Sequence, residues 1–151
     1  MSGCDPSEHG IAVARQTYPG LQFARVSTYD EPEALGAAAF DAVVSTEVVE
    51  HLYFPRALPR FARQVLRPGG HLILSTPYHG YVKNLVLSLA GKWDSHLSPF
   101  WDGGHIKLWS RSTLSRLVEE EGFSVTEFVG AGRMPYLWKS MVLASQKVRA
   151  A

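Results

Sequence analysis

Apolar residues along the chain alternate between the spacing of strands and the spacing of helices. The segments FDAVVST at 40–46 and HLILST at 71–76 are short continuous apolar runs, typical of strands that are covered on both faces. Between them, a predicted amphipathic helix over 56–66 places its apolar residues on one side: Leu58, Phe61, Ala62 and Val65. Strands that alternate with helices predict an α/β sheet that is mostly parallel, with an antiparallel pair at its end.

The same patterns predict the remaining elements. Further helices are predicted over 6–17, 81–93 and 110–123, and further strands over 21–26, 124–131 and 138–147. Asp5 is a candidate N-cap of the first of these helices, with Pro6 at its first position. Within 81–93, an apolar stripe at helical spacing is expected to dock the helix on the sheet: Val82, Leu85, Val86 and Leu89.

Composition limits the classes of protein that the chain can belong to. Its 151 residues, 46% hydrophobic and 19% charged, suit one globular domain over 1–147 followed by a tail at 148–151. A net charge of +1, from scattered Lys and Arg, gives no reason to expect a nucleic-acid partner. One cysteine, Cys4, suits a reducing compartment. With neither a leader pattern nor a membrane-spanning run, the sequence predicts a cytoplasmic protein.

Polar residues follow three predicted strands at their carboxyl ends, where open α/β sheets bind ligands. These residues are Ser27, Thr28 and Tyr29 after the first strand, Ser45, Thr46 and Glu47 after the second, and the segment TPYHG after the third. A candidate site is therefore expected at this edge of the sheet.

The segment STEVVEH at 45–51 concentrates chemically active groups in that edge. In a helical turn, Glu47 lies three residues from Glu50 and four from His51, so that the three side chains can converge. Two carboxylates and an imidazole can hold Mg²⁺ or Zn²⁺. The alternatives are that His51 acts directly as an acid or base, and that the group is structural.

A longer stretch carries a family resemblance. FDAVVSTEVVEHLYFPRALPRFARQVLRPGGHLILSTP, followed by GGHIKLWSRSTLSRLVEEEGF, resembles class I S-adenosylmethionine-dependent methyltransferases of the ubiquinone-biosynthesis O-methyltransferase type. The EH pair, the L-x-P-G-G turn and the late helix ending in EEGF follow one another at family spacing. The resemblance implies a Rossmann-like methyltransferase sheet with S-adenosyl-L-methionine as cofactor. It also implies O-methylation of a small, apolar or aromatic acceptor.

The resemblance gives roles to the strand-end residues. It implies that Asp5 accepts hydrogen bonds from the ribose hydroxyls of the cofactor, whereas the residue pattern alone also allows a helix N-cap. Residues 27–29 would contact adenine, although a polar turn is the simpler interpretation. Residues 45–47 would lie beside the ribose and the methionine portion.

His51 and His105 are the candidate catalytic residues. Some members of the resembled family carry an ExxEH metal site, which would use Glu47, Glu50 and His51. His105, in DGGHIKLW, matches a histidine that this branch places before its penultimate helix. It would supply a second imidazole as base or further ligand, or would only bind backbone. His79 and His96 are weaker candidates, whereas His9 and His71 are expected to be structural or at the surface.

The segment 78–102 falls where the resembled fold carries a cover over its substrate. Its aromatic residues are expected to form the wall of the acceptor pocket: Tyr78, Tyr81, Trp93, Phe100 and Trp101. Docking of the helix on the sheet is the plainer interpretation. A third is an interfacial helix over 81–93 that contacts a membrane surface.

One departure from the family concerns the beginning of the chain. Family members begin with a strand and a GxGxG loop under the cofactor, and the resemblance places that segment before GCDPS. Residues 1–151 are therefore expected to lack the first strand and most of the second, to leave neighbouring edges unpaired, to self-associate and to bind cofactor weakly. The alternative function is a truncated, non-catalytic α/β remnant that is stable only with a partner or by self-association. A dehydrogenase module is disfavoured because no GxGxxG precedes a helix.

Overall fold

The computed structural model describes residues 1–35 and 40–148, so that most of the predicted tail at 148–151 lies outside the described residues. The strands are β1 Ser2–Asp5, β2 Gln22–Arg25, β3 Phe40–Thr46, β4 Leu66–Pro77, β5 Phe123–Ala131 and β6 Ser140–Lys147. The helices are α1 Glu8–Thr17, α2 Ala57–Val65, α3 Tyr81–Leu89, α4 Trp93–Leu97 and α5 Arg111–Glu120. Short 3₁₀ turns occupy Pro32–Leu35 and Val49–His51. None of the described helices combines the length and the apolar character needed to cross a membrane.

The strands form two groups in the described part of the chain. β1 pairs with β2 in parallel, and the other four strands form a sheet in the order β3-β4-β6-β5. β3 and β4 are parallel, whereas β6 is antiparallel to both β4 and β5. The predicted α/β class, with its antiparallel pair at the end of the chain, is confirmed.

Helices α2 and α5 supply most of the helical part of the core. All four residues of the predicted α2 stripe are buried, as its helical spacing requires. On α5, Leu114, Leu117 and Val118 pack into the same core. Burial of one such side chain stabilises the fold by roughly 1.5–3 kcal/mol. These contacts fix the four-stranded sheet, whose strand ends carry the candidate site.

Strand β3 is more exposed than its apolar sequence predicts. None of its residues is fully buried, and Val44 is 63% exposed. The prediction that β3 is covered on both faces is therefore wrong. The physical reason is that, among the described residues, β3 pairs with β4 alone, and its other edge lies along a groove of 230 Å³ that β1 and the apolar side chains of Leu35 and Phe61 also line. In the part of the chain that the structure describes, β1 likewise pairs with a single strand, β2.

The start of α1 differs from the predicted one. The helix begins at Glu8, and its N-cap is Ser7, whose Oγ accepts a hydrogen bond of 3.0 Å from the Gly10 N–H. Asp5 lies two residues too early, at the end of β1, where its carboxylate accepts the Ser7 N–H at 2.7 Å. Asp5 is therefore not the N-cap, because a cap must reach the free N–H groups of the first helical turn.

Helix α3 has the opposite orientation from the expected one. Its apolar stripe is 44–80% exposed, whereas Lys83 is only 4% exposed. The expectation that this stripe docks on the sheet is wrong. Two polar contacts hold the other face inward: Lys83 Nζ donates to the Lys139 carbonyl, and Asn84 bonds to His79. A second helix, α4, lies within what the sequence predicts as a long loop.

Candidate active site

Three of the predicted site residues meet directly beyond the carboxyl end of β3. One ligand atom from each of Glu50, His51 and His105 lies within 4.8 Å of the others. Glu50 and His51 belong to the 3₁₀ turn that follows β3, and His105 approaches from the loop before α5. The Glu50 carbonyl accepts the N–H groups of Ile106 and Lys107, both at 3.0 Å, and this holds the loop against the turn.

Glu50 is a buried carboxyl with one unused oxygen. It is 1% exposed, and its Oε2 accepts a hydrogen bond of 3.0 Å from Thr76 Oγ1. Its Oε1 is buried and has no hydrogen-bond partner in the described structure. Burial is the main cause that raises the pKa of Glu50 above its usual value. Because an unpaired buried carboxylate is costly, this oxygen is suited to hold either a proton or a cation.

The contacts of His51 determine which of its ring nitrogens is free. Nδ1 lies 2.7 Å from the Gly103 carbonyl oxygen, which can only accept, so that we assign the proton to Nδ1. Nε2 then carries the lone pair, and it lies 4.0 Å from Glu50 Oε1. Such a backbone contact is typical of histidines that act as metal ligands or bases through the other nitrogen.

His105 and Trp101 complete the surroundings of His51. The His51 and His105 rings are 5.0 Å apart between centroids, and Trp101 presents an edge to both. Burial and the neighbouring His51 lower the pKa of His105, while Glu47 opposes that shift. His105 is therefore neutral near pH 7, the form in which an imidazole binds a metal or accepts a proton.

Glu47 lies beside this group but is not part of it. Its φ of 52° is left-handed, so that it does not continue a helical turn towards His51, and the predicted convergence through i, i+4 spacing is wrong. Its Oε1 accepts hydrogen bonds from Ser75 Oγ at 2.8 Å and from Ser140 Oγ at 2.9 Å. These contacts tie β3, β4 and β6 together at their tips.

Three hydroxyl residues bind the carboxylates at these tips, and of these the sequence predicted only Thr76, within the segment TPYHG. Thr76 binds Glu50, while Ser75 and Ser140 bind Glu47. The polar pair Ser75-Thr76 at the end of an apolar strand is a usable sequence signal for two of them. Ser140 carries no such signal, because only the antiparallel register of β6 with β4 brings it next to Glu47.

The proposed ribose and adenine residues lie at the ends of β1 and β2. Asp5 is exposed at the end of β1. After β2, the backbone N–H of Ser27 donates to Asp30 Oδ2 at 2.8 Å and that of Tyr29 donates to Ser27 Oγ at 3.2 Å. Residues 27–30 therefore form a polar turn, the simpler of the two interpretations, and the turn leaves Tyr29 exposed.

A cleft of 730 Å³ lies beside this turn. Its walls include Thr28 and Tyr29 on one side and Tyr53 and Phe54 on the other. The Phe54 ring packs edge-on against Tyr29 at 6.3 Å, and its N–H donates to the tyrosine hydroxyl at 3.4 Å. Asp5 and residues 45–47 do not line this cleft. The aromatic pair Tyr53-Phe54 was not singled out from the sequence, although only Leu52 separates it from the EH pair.

The aromatic residues of 78–102 do not form one enclosed wall. Tyr78 is buried and Trp93 stacks on His79, whereas Tyr81, Phe100 and Trp101 are exposed. The weaker candidates His79 and His96 lie together, 5.2 Å apart between ring centroids.

Comparison with known proteins gives the same assignment from sequence and from structure. A family described as "Methyltransferase domain" matches residues 1–127. The chain is 31% identical over 128 residues to a Mycolicibacterium smegmatis protein named "Probable S-adenosylmethionine-dependent methyltransferase", covering 85% of this chain and 45% of that protein. It is 27% identical over 139 residues to a ubiquinone biosynthesis O-methyltransferase of Aromatoleum aromaticum, covering 89% and 59%. The chain thus spans about half the length of these relatives.

Solved structures of methyltransferases share the fold. A SAM-dependent methyltransferase from Methanosarcina mazei superposes with a TM-score of 0.73 at 17% identity, covering 97% of this chain and 81% of that one. A S-adenosylmethionine-dependent methyltransferase from Mesorhizobium loti gives a TM-score of 0.70 at 18% identity, covering 97% and 79%. The Rossmann-like methyltransferase fold that the resemblance implies is therefore confirmed.

Proposed function

Because the chain belongs to the methyltransferase domain family, we propose that it transfers a methyl group from S-adenosyl-L-methionine to an oxygen atom of a small molecule. The observation that carries this proposal is the group of Glu50, His51 and His105 at the strand ends, with the Nε2 lone pair of His51 free. A free imidazole nitrogen beside a buried carboxyl is suited to take the proton of an acceptor hydroxyl.

The cofactor residues are proposed on their place in the fold. Asp5, at the end of β1, offers two carboxylate oxygens to the ribose hydroxyls. Thr28 and Tyr29 form one wall of the 730 Å³ cleft, which is large enough for an adenine ring. Residues 45–47 end β3 and directly precede the turn that carries His51, which supports a place for them beside the ribose and methionine portion.

The reaction needs little covalent chemistry from the protein. The cofactor, when bound, supplies an electrophilic methyl group on a sulfonium ion. The residues of this chain must place the acceptor oxygen in line with that group and receive the hydroxyl proton. His51 Nε2 is the proposed base, with Nδ1 fixed by the Gly103 carbonyl so that the ring cannot turn away. These residues can thus both place the acceptor oxygen and remove its proton.

The same donors also fit a metal ion. Glu50 Oε1, which has no other partner, His51 Nε2 and an imidazole nitrogen of His105 would hold it, and Glu47 lies next to them. One carboxylate with two imidazoles favours Zn²⁺ over Mg²⁺, which prefers oxygen ligands. A bound cation would lower the pKa of an acceptor hydroxyl.

The acceptor class and the location of the protein are proposed from weaker observations. Two relatives are named ubiquinone biosynthesis O-methyltransferases, which supports an aromatic acceptor. The exposed apolar stripe of α3, flanked by Tyr81, supports contact of residues 81–93 with a membrane surface. The single exposed thiol of Cys4 supports the cytoplasm as the location.

The test is a methyl-transfer assay with labelled S-adenosylmethionine against catechols, phenols and aromatic carboxylates. We expect a labelled methyl ether from a phenol or catechol, or a labelled methyl ester from a carboxylate. With a hydroxyl acceptor, His51→Ala should lower kcat by about 100-fold or more, the usual contribution of a general base. The matched control is His9→Ala on the exposed side of α1, with an unchanged rate. Addition of EDTA decides the role of the metal, because an unchanged rate removes it. Equal loss in both histidine variants would contradict the role of His51, and no product from any acceptor would favour the non-catalytic alternative.

A further inference from the structure

Helix α3 buries Lys83, whereas the four apolar residues of its stripe are exposed. Lys83 is 4% exposed, and its ammonium group makes one hydrogen bond, to the Lys139 carbonyl oxygen at a long 3.5 Å. Among the described residues, no carboxylate forms a salt bridge with it, although such partners normally accompany a buried cation. A buried ammonium group with one weak contact is poorly satisfied, and this calls for a partner of opposite charge.

One of the two histidines beside Lys83 is also incompletely satisfied. His79 is 5% exposed, and its Nδ1 lies 3.2 Å from Asn84 Oδ1, an acceptor, so that Nδ1 carries the proton. Its Nε2 is buried and has no partner in the described structure. Trp93 stacks on one face of the ring at 6.3 Å, and His96 lies 5.2 Å away between centroids. His79 thus presents an unused polar atom within the same cluster.

The charged groups around this cluster all have the same sign. Burial lowers the pKa of Lys83, and Arg133 lowers it further. The pKa of His79 falls to about 4, chiefly through burial, with Lys83, His96 and His105 acting in the same direction. The pKa of His96 is lowered by burial and by Lys83, His105 and Arg133. Every charged side chain that acts on these three groups is therefore cationic or can become so.

The cluster adjoins the tips of β4 and β6. Lys139, whose carbonyl contacts Lys83, immediately precedes Ser140, which donates to Glu47. His79 lies two residues after Pro77, the last residue of β4, and its N–H donates to the Trp109 carbonyl at 2.8 Å. The carbonyl that contacts Lys83 thus lies one residue from a hydroxyl that contacts Glu47. A methyl acceptor that contacts Lys83 would therefore lie next to the strand ends that form the candidate active site.

We propose that Lys83, with His79 and His96, binds an anionic group of the methyl acceptor, a carboxylate or a phosphate. This proposal rests on the proposed function and narrows its substrate class from apolar molecules to acidic ones. The anion supplies the countercharge that Lys83 lacks, and it stabilises the protonated imidazole, so that His79 Nε2 becomes a donor to it. Arg133, in the exposed turn between β5 and β6, adds attraction on the approach from solvent.

Other ligands fit this cluster less well. A metal cation would be repelled by Lys83 and by Arg133. A neutral apolar group would leave the ammonium of Lys83 without a countercharge and would deprive it of its remaining contacts with water. An anion alone satisfies both the charge of Lys83 and the unused atom of His79.

The test is a titration of the ¹⁵N-labelled protein, followed by NMR, with benzoate and with benzamide, which have the same shape and differ in charge. We expect benzoate to bind at least 10-fold more tightly than benzamide and to shift the signals of Lys83, His79 and His96. A third titration, with inorganic phosphate, shows whether the site prefers a phosphate or a carboxylate, because the preferred anion binds more tightly. Equal affinity for benzoate and benzamide, or shifts confined to other residues, would overturn the proposal.

Variants separate this site from general electrostatic attraction. Lys83→Met removes the charge at similar length and should abolish the preference for benzoate, whereas Lys83→Arg should keep it. Lys92→Met, at an exposed lysine three residues beyond the end of α3, is the matched control and should keep it too. A preference that survives in Lys83→Met overturns the proposal. If Lys83→Met does not fold, as judged by circular dichroism, the same comparison is made with His79→Phe.

A parallel titration with S-adenosylhomocysteine separates failure of this proposal from failure of the proposed function. The cofactor product should shift residues 27–29 and 45–47 equally in the native protein and in Lys83→Met. If it does so while benzoate does not bind, the anion site is wrong and the proposed function stands. If benzoate binds as expected and S-adenosylhomocysteine does not, the anion site is real but does not belong to a methyltransferase acceptor.

Discussion

Replacement of Glu50 by Gln tests the unsatisfied carboxyl at the centre of the candidate site. In metal-free protein above the folded-state pKa of Glu50, the native side chain is a buried carboxylate with one hydrogen bond from Thr76 and one oxygen without a partner. Gln keeps the shape and the contact with Thr76 but removes the charge. Because desolvation of an unpaired carboxylate costs several kcal/mol, offset by about 1.5–3 kcal/mol from its charged hydrogen bond, we expect Glu50→Gln to stabilise the metal-free fold by about 2 kcal/mol.

The assay is urea unfolding in EDTA, followed by circular dichroism. With a slope of about 2 kcal/mol per M urea, the expected gain moves the midpoint upward by about 1 M. The effect has a defined pH dependence, because burial raises the pKa of Glu50 in the folded state. Such a carboxyl destabilises the fold above its folded pKa, and the penalty disappears as the pH falls through that value. The advantage of the Gln variant should therefore shrink towards pH 4.5.

Zinc should reverse the order of the two proteins. A ligand at 100 times its dissociation constant stabilises the state that binds it by about 2.7 kcal/mol, and only the native carboxylate completes the donor set. The control is Glu119→Gln at an exposed position of α5, where the midpoint should not move. A lower midpoint for Glu50→Gln than for the native protein in EDTA would refute the argument that this carboxyl is unsatisfied.

Three further predictions concern single positions. The pKa of His79, measured by NMR titration of its ring, should be about 4. Because this pKa is depressed in the folded state, the free energy of unfolding should fall as the pH falls from 6.5 towards 4. A measured pKa above 6 would contradict the burial of the His79 ring. Leu114→Ala should cost about 2–5 kcal/mol in urea unfolding because Leu114 is fully buried, whereas Leu85→Ala on exposed α3 should change stability by less than about 0.5 kcal/mol. Gly122→Ala should cost about 1–2 kcal/mol, since Gly122 has a φ of +83° and ends α5, and a neutral effect would show that this turn adapts.

Periodicity predicted the elements whose two sides differ most strongly. The apolar stripe of α2 lies where the pattern places it, and α5, over Arg111–Glu120, falls within the helix predicted at 110–123. The orientation of α3 was not predictable in the same way. A stripe at helical spacing normally faces the core, whereas here the stripe is exposed and Lys83 faces inward, in contact with the Lys139 carbonyl directly before β6. That contact joins residues 56 positions apart, so that no local pattern contains it.

The candidate site was predictable in its composition but not in its grouping. The EH pair was recognised by residue type and spacing and His105 by the family resemblance, and they do meet. Glu47 was expected to join them through a helical turn, but its left-handed backbone directs its carboxylate to Ser75 and Ser140 instead. The backbone conformation of Glu47, at the end of β3, decided that Glu50 and not Glu47 faces the histidines. Secondary-structure propensities carry little information on the conformation of a single residue.

The exposed strand β3 shows a different limit of sequence reasoning. An apolar run at FDAVVST indicates a strand that something covers, but it does not say what covers it. In the described structure, β3 borders the groove that β1 also lines, where the sequence predicts a covering element. Val44 lies exposed at the edge of this groove.

We propose above that the tips of β1, β2 and β3 bind one nucleotide together. This shared binding is tested most directly by ¹H–¹⁵N NMR of the protein during addition of S-adenosylhomocysteine, a measurement that detects even weak binding. We expect the amide signals of Asp5, of residues 27–29 and of residues 45–47 to shift together, with a single apparent dissociation constant. Shifts that follow different constants at these three places, or no shifts there at millimolar ligand, would contradict shared binding.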